Sequence, residues 1–372
     1  MEEMAVNERT HDTPGIAGLQ TRAVVRTTAR VLLCAVTLMA TAVYAAEPQA
    51  PRVESNGYTL ELPLGLQADS AYIPETNPMT AAKVELGTLL YFDPRLSIDG
   101  TISCASCHNP FHGFAEPEPT GKGVRGQRGN RNSPTVINRL FSKEQFWDGR
   151  AADLEDQAHG PLTNPIEMAM PSHDEVVKKV ASIAGYGPYF KQAFGSAEVT
   201  MPRIAQAIAS YERTVISGNS PFDRYAAGDK AALSPSAVRG MALFNGTANC
   251  KTCHAGFNFT DEQYHNLGVG MDKPEPDLGR YAVTKADVDR GAFKTPTLRN
   301  VVQSGPYMHD GSEVTLEGVV ALYNRGGVQN TWLSKEMKPL HLTPTEVDDL
   351  VAFMLGLTGE VHGLAAPPAL PK

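Results

Sequence analysis

The chain has no basic excess to offer a polyanion. Lysine and arginine total 33 against 41 aspartates and glutamates, a formal net charge of −8, and this balance argues against nucleic acid as a partner. It also lacks an apolar run that would cross a bilayer comfortably: Val31 to Ala40 is short and is broken by Thr37 and, just beyond, Thr41. Tryptophan occurs twice, at Trp147 and Trp332. Cysteine occurs five times. With Cys34 set aside in the N-terminal apolar segment, only Cys104, Cys107, Cys250 and Cys253 are left for chemistry.

Those four form two Cys-x-x-Cys-His motifs, Cys104-Ala105-Ser106-Cys107-His108 and Cys250-Lys251-Thr252-Cys253-His254. Each has the form of a covalent c-type haem attachment site. The two sulfurs bond the porphyrin edge, and the adjacent histidine is placed to ligate iron from one face. A thioredoxin-like redox pair or a zinc site are the alternatives for such spacing. A zinc site built from both motifs would leave the histidine after each second cysteine unexplained. Two covalently bound haems make this a redox protein, whose chemistry depends on what faces the other side of each iron.

Arg22, Arg26 and Arg30 lead into the apolar run, and Val43-Tyr44-Ala45 is a small-x-Ala cleavage pattern. Residues 1–45 therefore read as a secretory signal cleaved near Ala45, and the mature protein as periplasmic. Cleavage leaves 372 − 45 = 327 residues, enough for two modest domains with real cores. The expected order is an N-terminal extension at 46–78, a first haem domain at 79–218, a second at 219–360 and a tail at 361–372.

The two halves repeat one another. Gly87-Thr88-Leu89-Leu90-Tyr91 precedes the first haem motif, and Gly240-Met241-Ala242-Leu243-Phe244 the second. Both read as the last turns of a helix packed on its haem, with the glycine allowing close approach. Ser133-Pro134-Thr135-Val136-Ile137-Asn138 then matches Thr295-Pro296-Thr297-Leu298-Arg299-Asn300. Nine residues past each Asn comes Trp147-Asp148-Gly149 or His309-Asp310-Gly311, and five past each Gly comes Leu154-Glu155 or Leu316-Glu317. Between the halves, 174–183 and 202–215 read as helices, and Thr343 with Glu346 reads as a capping box opening a helix to Leu357. Residues 117–131 and 255–292 read as exposed loops. The expectation is an all-α protein with little sheet.

Residues Met79 to Glu360 resemble the bacterial dihaem cytochrome c peroxidase family, which includes MauG. The most specific stretch runs from Arg131-Asn132-Ser133-Pro134-Thr135 through Phe146-Trp147-Asp148-Gly149-Arg150-Ala151 to Glu167-Met168. The resemblance implies two cytochrome c-like domains with the active site near their interface and a calcium ion between them. It implies hydrogen peroxide as substrate, and as partner an electron-donor protein such as a small cytochrome c, or a dedicated partner protein. Haem attachment outside the cytoplasm agrees with export. By the same resemblance Glu167 and Gln157 are the distal acid–base and polar groups, Trp147 is the relay between haems, and Asn132 with the carbonyls of Ser304 and Pro306 holds calcium.

The repeat permits a comparison of distal faces. Tyr323 stands twelve residues past Gly311, and Pro161 twelve past Gly149. The resemblance implies that the second haem's distal ligand comes from the helix after the second Asp-Gly; tyrosine can ligate iron and proline cannot, so the His254 haem is expected to be closed by Tyr323 and the His108 haem open. Tyr at this position resembles MauG, whereas the peroxidases proper carry Met; tyrosinate favours oxidised iron. His265, Met271, Met308 and His309 are rival ligands. The peroxidases' displaceable histidine is replaced by Val124, and His112 is expected to be a surface or propionate contact. MauG's electron-exit tryptophan is replaced by Ala248, which leaves Trp332 as an exit or a packing residue. The expected function is peroxide reduction at the first haem; the alternatives are oxidation of a partner protein, as in MauG, and a non-catalytic electron-transfer cytochrome.

Overall fold

The computed structural model describes residues 50–363 and 366–372; the expected signal segment lies outside them. The described residues form one packed unit, and its regular structure is mostly helical. In chain order come α1 (Ala81–Phe92), α2 (Cys104–Cys107), α3 (Leu154–Thr163), α4 (His173–Ala181), α5 (Tyr186–Phe194), α6 (Met201–Glu212), α7 (Pro221–Ala226), α8 (Pro235–Asn245), α9 (Tyr281–Thr284), α10 (Leu316–Asn324) and α11 (Pro344–Leu355). Strands are short and paired antiparallel: β1 (Arg52–Ser55) with β2 (Tyr58–Glu61), β3 (Ile216–Gly218) with β6 (Glu360–His362), and β4 (Tyr264–His265) with β5 (Phe293–Lys294). The β1–β2 turn is Asn56-Gly57, both left-handed, the pairing a tight hairpin requires. No helix among the described residues is long and apolar enough to cross a membrane.

Local chemistry sets the helix ends. Ser234 caps α8 by accepting from the Ala237 N–H, with Pro235 at the first helical position. Thr343 and Glu346 cap α11 reciprocally. The two motif-preceding glycines act differently from expectation. A Cβ at Gly87 would overlap the Ala207 carbonyl of α6, and one at Gly240 the Asp349 carbonyl of α11. The close approach they permit is helix on helix, not helix on haem. Each crossing centres an apolar cluster: one joins α1, α4, α5 and α6 through Leu86, Leu90, Val176, Phe190 and Ile204, and the other joins α8, α10 and α11 through Phe244, Val320, Leu350 and Phe353.

The repeat is visible in backbone geometry. Asn138 and Asn300 are both left-handed, at φ 63° and 57°; so are Phe146 and Met308, at 68° and 70°. Isolated bridges close the same turn in each half, Gln145 to Ala151 and Tyr307 to Glu313. The two asparagines converge on one residue of β3. Ser217 N–H donates to Asn138 Oδ1 (2.8 Å), Asn138 Nδ2 donates to the Ser217 carbonyl (3.0 Å), and Ser217 Oγ donates to Asn300 Oδ1 (2.6 Å). All three residues are buried. The tail returns to the first half: Pro371 O accepts from Arg95 and Lys372 O from the Gly185 N–H. The loop at 117–131 is less exposed than expected. Val124 is fully buried, its N–H donates to the Glu167 carbonyl, and a Cβ at Gly123 would strike the backbone of Ile166 and Glu167.

Candidate active site

Each Cys-x-x-Cys-His motif opens on its own cavity. Cys104, Cys107 and His108 line one of about 390 Å³. Cys250, Cys253 and His254 line another of about 200 Å³. The pairs face different cavities, which excludes a single zinc site made from both. None of the four thiols is in a disulfide, and burial pushes Cys107 and Cys250 up to about 12.

The histidines are set for iron. A carbonyl can only accept, so His108 Nδ1 donates to Pro134 O (2.9 Å) and His254 Nδ1 to Phe259 O (3.0 Å). Each Nε2 is thereby left unprotonated and available to a metal. Burial lowers both imidazole pKa values and keeps the rings neutral. The fit to two haems is good: paired thiols, a neutral histidine of fixed tautomer, and a largely apolar chamber in each half.

Pro161 is the eighth residue of α3 and Tyr323 the eighth of α10. Pro161 lines the His108 cavity and Tyr323 the His254 cavity. The Tyr323 hydroxyl has no hydrogen-bond partner among the described residues. The rivals are more constrained: His265 Nε2 donates to Asp261 (2.8 Å), and His309 stacks on Phe293 with ring centroids 3.6 Å apart. Met308 also lines this cavity, while Met271 does not. Cys253 Sγ comes together with Asp261 and His265, but that sulfur belongs to the attachment motif.

Gln157 and Glu167 line the His108 cavity with Pro161. Asn164 Nδ2 donates to Glu167 Oε1 (2.8 Å). Burial raises the Glu167 pKa above its ordinary value, and the Arg150 guanidinium opposes this only in part. Such a carboxyl is suited to exchange a proton. Arg150 itself stacks over Phe146 and pairs with Asp148.

Trp147 borders both cavities. Its Nε1–H donates to Asn132 O (2.8 Å), and its own carbonyl accepts from Lys294 N (2.8 Å). Asn132, Ser304 and Pro306 share a lining with the second cavity. Among the described residues, Asn132 Oδ1 and the Ser304 and Pro306 carbonyls accept no hydrogen bond, so three oxygens are free for a hard cation. His112 is tied to the second half: its ring donates from Nε2 to Gly305 O (2.6 Å), between the two candidate calcium carbonyls.

Sequence reasoning missed Lys294, Arg139 and Glu212. Lys294 borders both cavities, and burial lowers its pKa to about 7. Its dipeptide, Phe293-Lys294, gave no sign of burial. Glu212 follows an apolar helix face, and that placement was the available signal.

A helical protein with two such cavities and one tryptophan bordering both is a dihaem c-type oxidoreductase by fold and site. Residues 81–231 match the family model for di-haem cytochrome c peroxidase and residues 237–358 that for cytochrome c. The chain is 44% identical over 297 residues to methylamine utilization protein MauG of Methylorubrum extorquens, covering 79% of this chain and 83% of that one. It is 42% identical over 297 residues to cytochrome c551 peroxidase of Nitrosomonas europaea, covering 79% and 85%. A MauG-like protein associated with microbial copper homeostasis superposes with a TM-score of 0.73 at 31% identity, covering 80% of this chain and 95% of that one. The chain belongs to the bacterial dihaem cytochrome c peroxidase family and is a peroxidase-like oxidoreductase.

Proposed function

We propose that the mature protein is an exported, periplasmic peroxidase that reduces hydrogen peroxide in the open His108 cavity. The observation that carries this reading is the pairing of Pro161 and Tyr323 at one helix position, with Glu167 beside the proline. The overall reaction is H₂O₂ + 2e⁻ + 2H⁺ → 2H₂O, with both electrons from an external donor such as a small cytochrome c. When bound, the haems supply the redox chemistry of O–O cleavage. Glu167 takes the proton from the near oxygen of peroxide and returns it to the far one. The Gln157 amide steadies charge as it develops. Trp147, held at both its indole and its backbone, carries an oxidising equivalent between the cavities. Tyr323 closes the second cavity, and Asn132, Ser304 and Pro306 would hold calcium, whose charge would tie the joint beside Trp147.

A second reading has its own support. Tyrosine at 323 and the likeness to MauG favour oxidation of a partner protein. Ala248, buried at the position of MauG's exit residue, removes that route. Trp332 is 38% exposed and sits beneath Arg290, which leaves it as the exit this reading requires.

The test is stoichiometric hydrogen peroxide added to the as-isolated diferric protein, followed by visible and near-infrared spectroscopy. A rapid change without prior reduction, reversed by reduced cytochrome c, is expected. Change only after one haem is reduced would overturn the open first cavity. No change in either state would leave a pure electron carrier. Rapid change with slow reversal by cytochrome c would favour the partner-protein reading.

A further inference from the structure

Helix α6 ends in an acidic residue that the proposed reaction does not use. Its buried face runs Ile204, Ala205, Ile208 and then Glu212, one turn past Ile208. Ile208 and Glu212 both line the His108 cavity. Glu212 is only 5% exposed, and no donor among the described residues hydrogen-bonds to its carboxyl.

The nearby cations are committed elsewhere. Arg213 is bidentate to Glu155 (2.7 and 2.8 Å) and also donates to Tyr72 O. Arg139 donates to Gln145 and to the Glu144 carbonyl. The remaining groups that bear on Glu212 are Tyr91 of α1, Tyr211 of α6 itself, Cys104 of α2 and Glu155 of α3. Tyr91 already donates to the His108 carbonyl. Burial is the main reason the Glu212 carboxyl rises to about 8; Glu155 adds to it and the two arginines offset it in part.

We propose that Glu212 is a redox-linked proton acceptor of the His108 cavity, binding one proton when that cavity gains an electron and releasing it on reoxidation. The electron comes from the donor protein and the proton from solvent; the only bond made is Glu212 O–H. The physical reason is charge. Ferric haem carries one more positive charge than ferrous haem, and that charge favours the carboxylate of a partnerless neighbour. Removing it favours the acid. This proton is separate from the one Glu167 moves, and the inference rests on haem in the His108 cavity, not on peroxide turnover.

The experiment is a spectroelectrochemical titration of both haems across pH, in the wild type and in Glu212→Gln. The first haem's potential should fall as pH rises through the neutral range. The limit is a tenfold change in equilibrium constant per pH unit, ~59 mV for one electron. In Glu212→Gln that slope should vanish while the second haem is unchanged. A slope retained in the variant would assign the proton to another group and overturn the proposal. Should the variant fail to load haem, redox-triggered infrared difference spectra of Glu167→Gln, which removes the other raised carboxyl of this cavity, decide the matter. A protonated-carboxyl band gained on reduction supports the proposal, and its absence refutes it.

Discussion

Proline and tyrosine occupy the same turn of duplicated helices, one lining each cavity. Beside the proline, Glu167 works as a base only when ionised. Its pKa lies above the ordinary 4.5 because it is buried, so the rate of reaction with peroxide should fall on acidification already at a pH above that value. Glu167→Gln should lose roughly 10²–10⁴-fold in that rate and lose the acid limb with it. Stopped-flow measurement across pH checks both, with haem content as the control; a variant that kept the acid limb would assign it to another group. Residues named by motif and repeat were legible in the sequence: His108, His254, Pro161, Tyr323 and Trp147 all border the expected cavities. Lys294 was not, because a lone charge in a sequence reads as solvated; Glu212 had one signal, the apolar face of α6 that it follows, and packing shows both turned inward.

At the level of elements, the helix pairs α1–α6 and α8–α11 cross where a glycine removes one side chain. The sequence locates those glycines, but their partner is a distant helix, and nothing local distinguishes contact with a helix from contact with a haem. Gly240→Ala would place a methyl group on the Asp349 carbonyl. The helices must then part, at a cost of about 1–3 kcal/mol, and urea unfolding monitored by circular dichroism should show the loss. An unchanged midpoint would mean that the crossing is looser than described. The β1–β2 hairpin carries a local signature in Asn56-Gly57 and is part of the little sheet expected. The tail's return to Arg95 and Gly185 was not legible, since its bonds are made by backbone carbonyls and carry no residue signature.

Across the whole molecule, the joint between halves is polar and buried. Asn132 supplies a carbonyl to Trp147 and a free side-chain oxygen on the same cavity lining as Ser304 and Pro306, whose turn His112 pins from the first half. With calcium bound there, removal by a chelator should slow the return of electrons to the first haem after peroxide. Calcium should restore it and magnesium should not, because magnesium demands a tighter octahedral shell. Metal analysis alongside stopped-flow spectra checks this, and full activity in calcium-free protein would refute it.

Ser217, gripped from both sides by Asn138 and Asn300, has a further consequence. Electron tunnelling weakens exponentially with distance, so a joint that opened and closed would make conduction intermittent. Of the serine's three bonds, the one from Ser217 Oγ to Asn300 joins the halves, and because it is buried it resists such opening. With haems in both cavities, the rate of transfer between them would then depend on which group holds the electron more than on how far the halves swing.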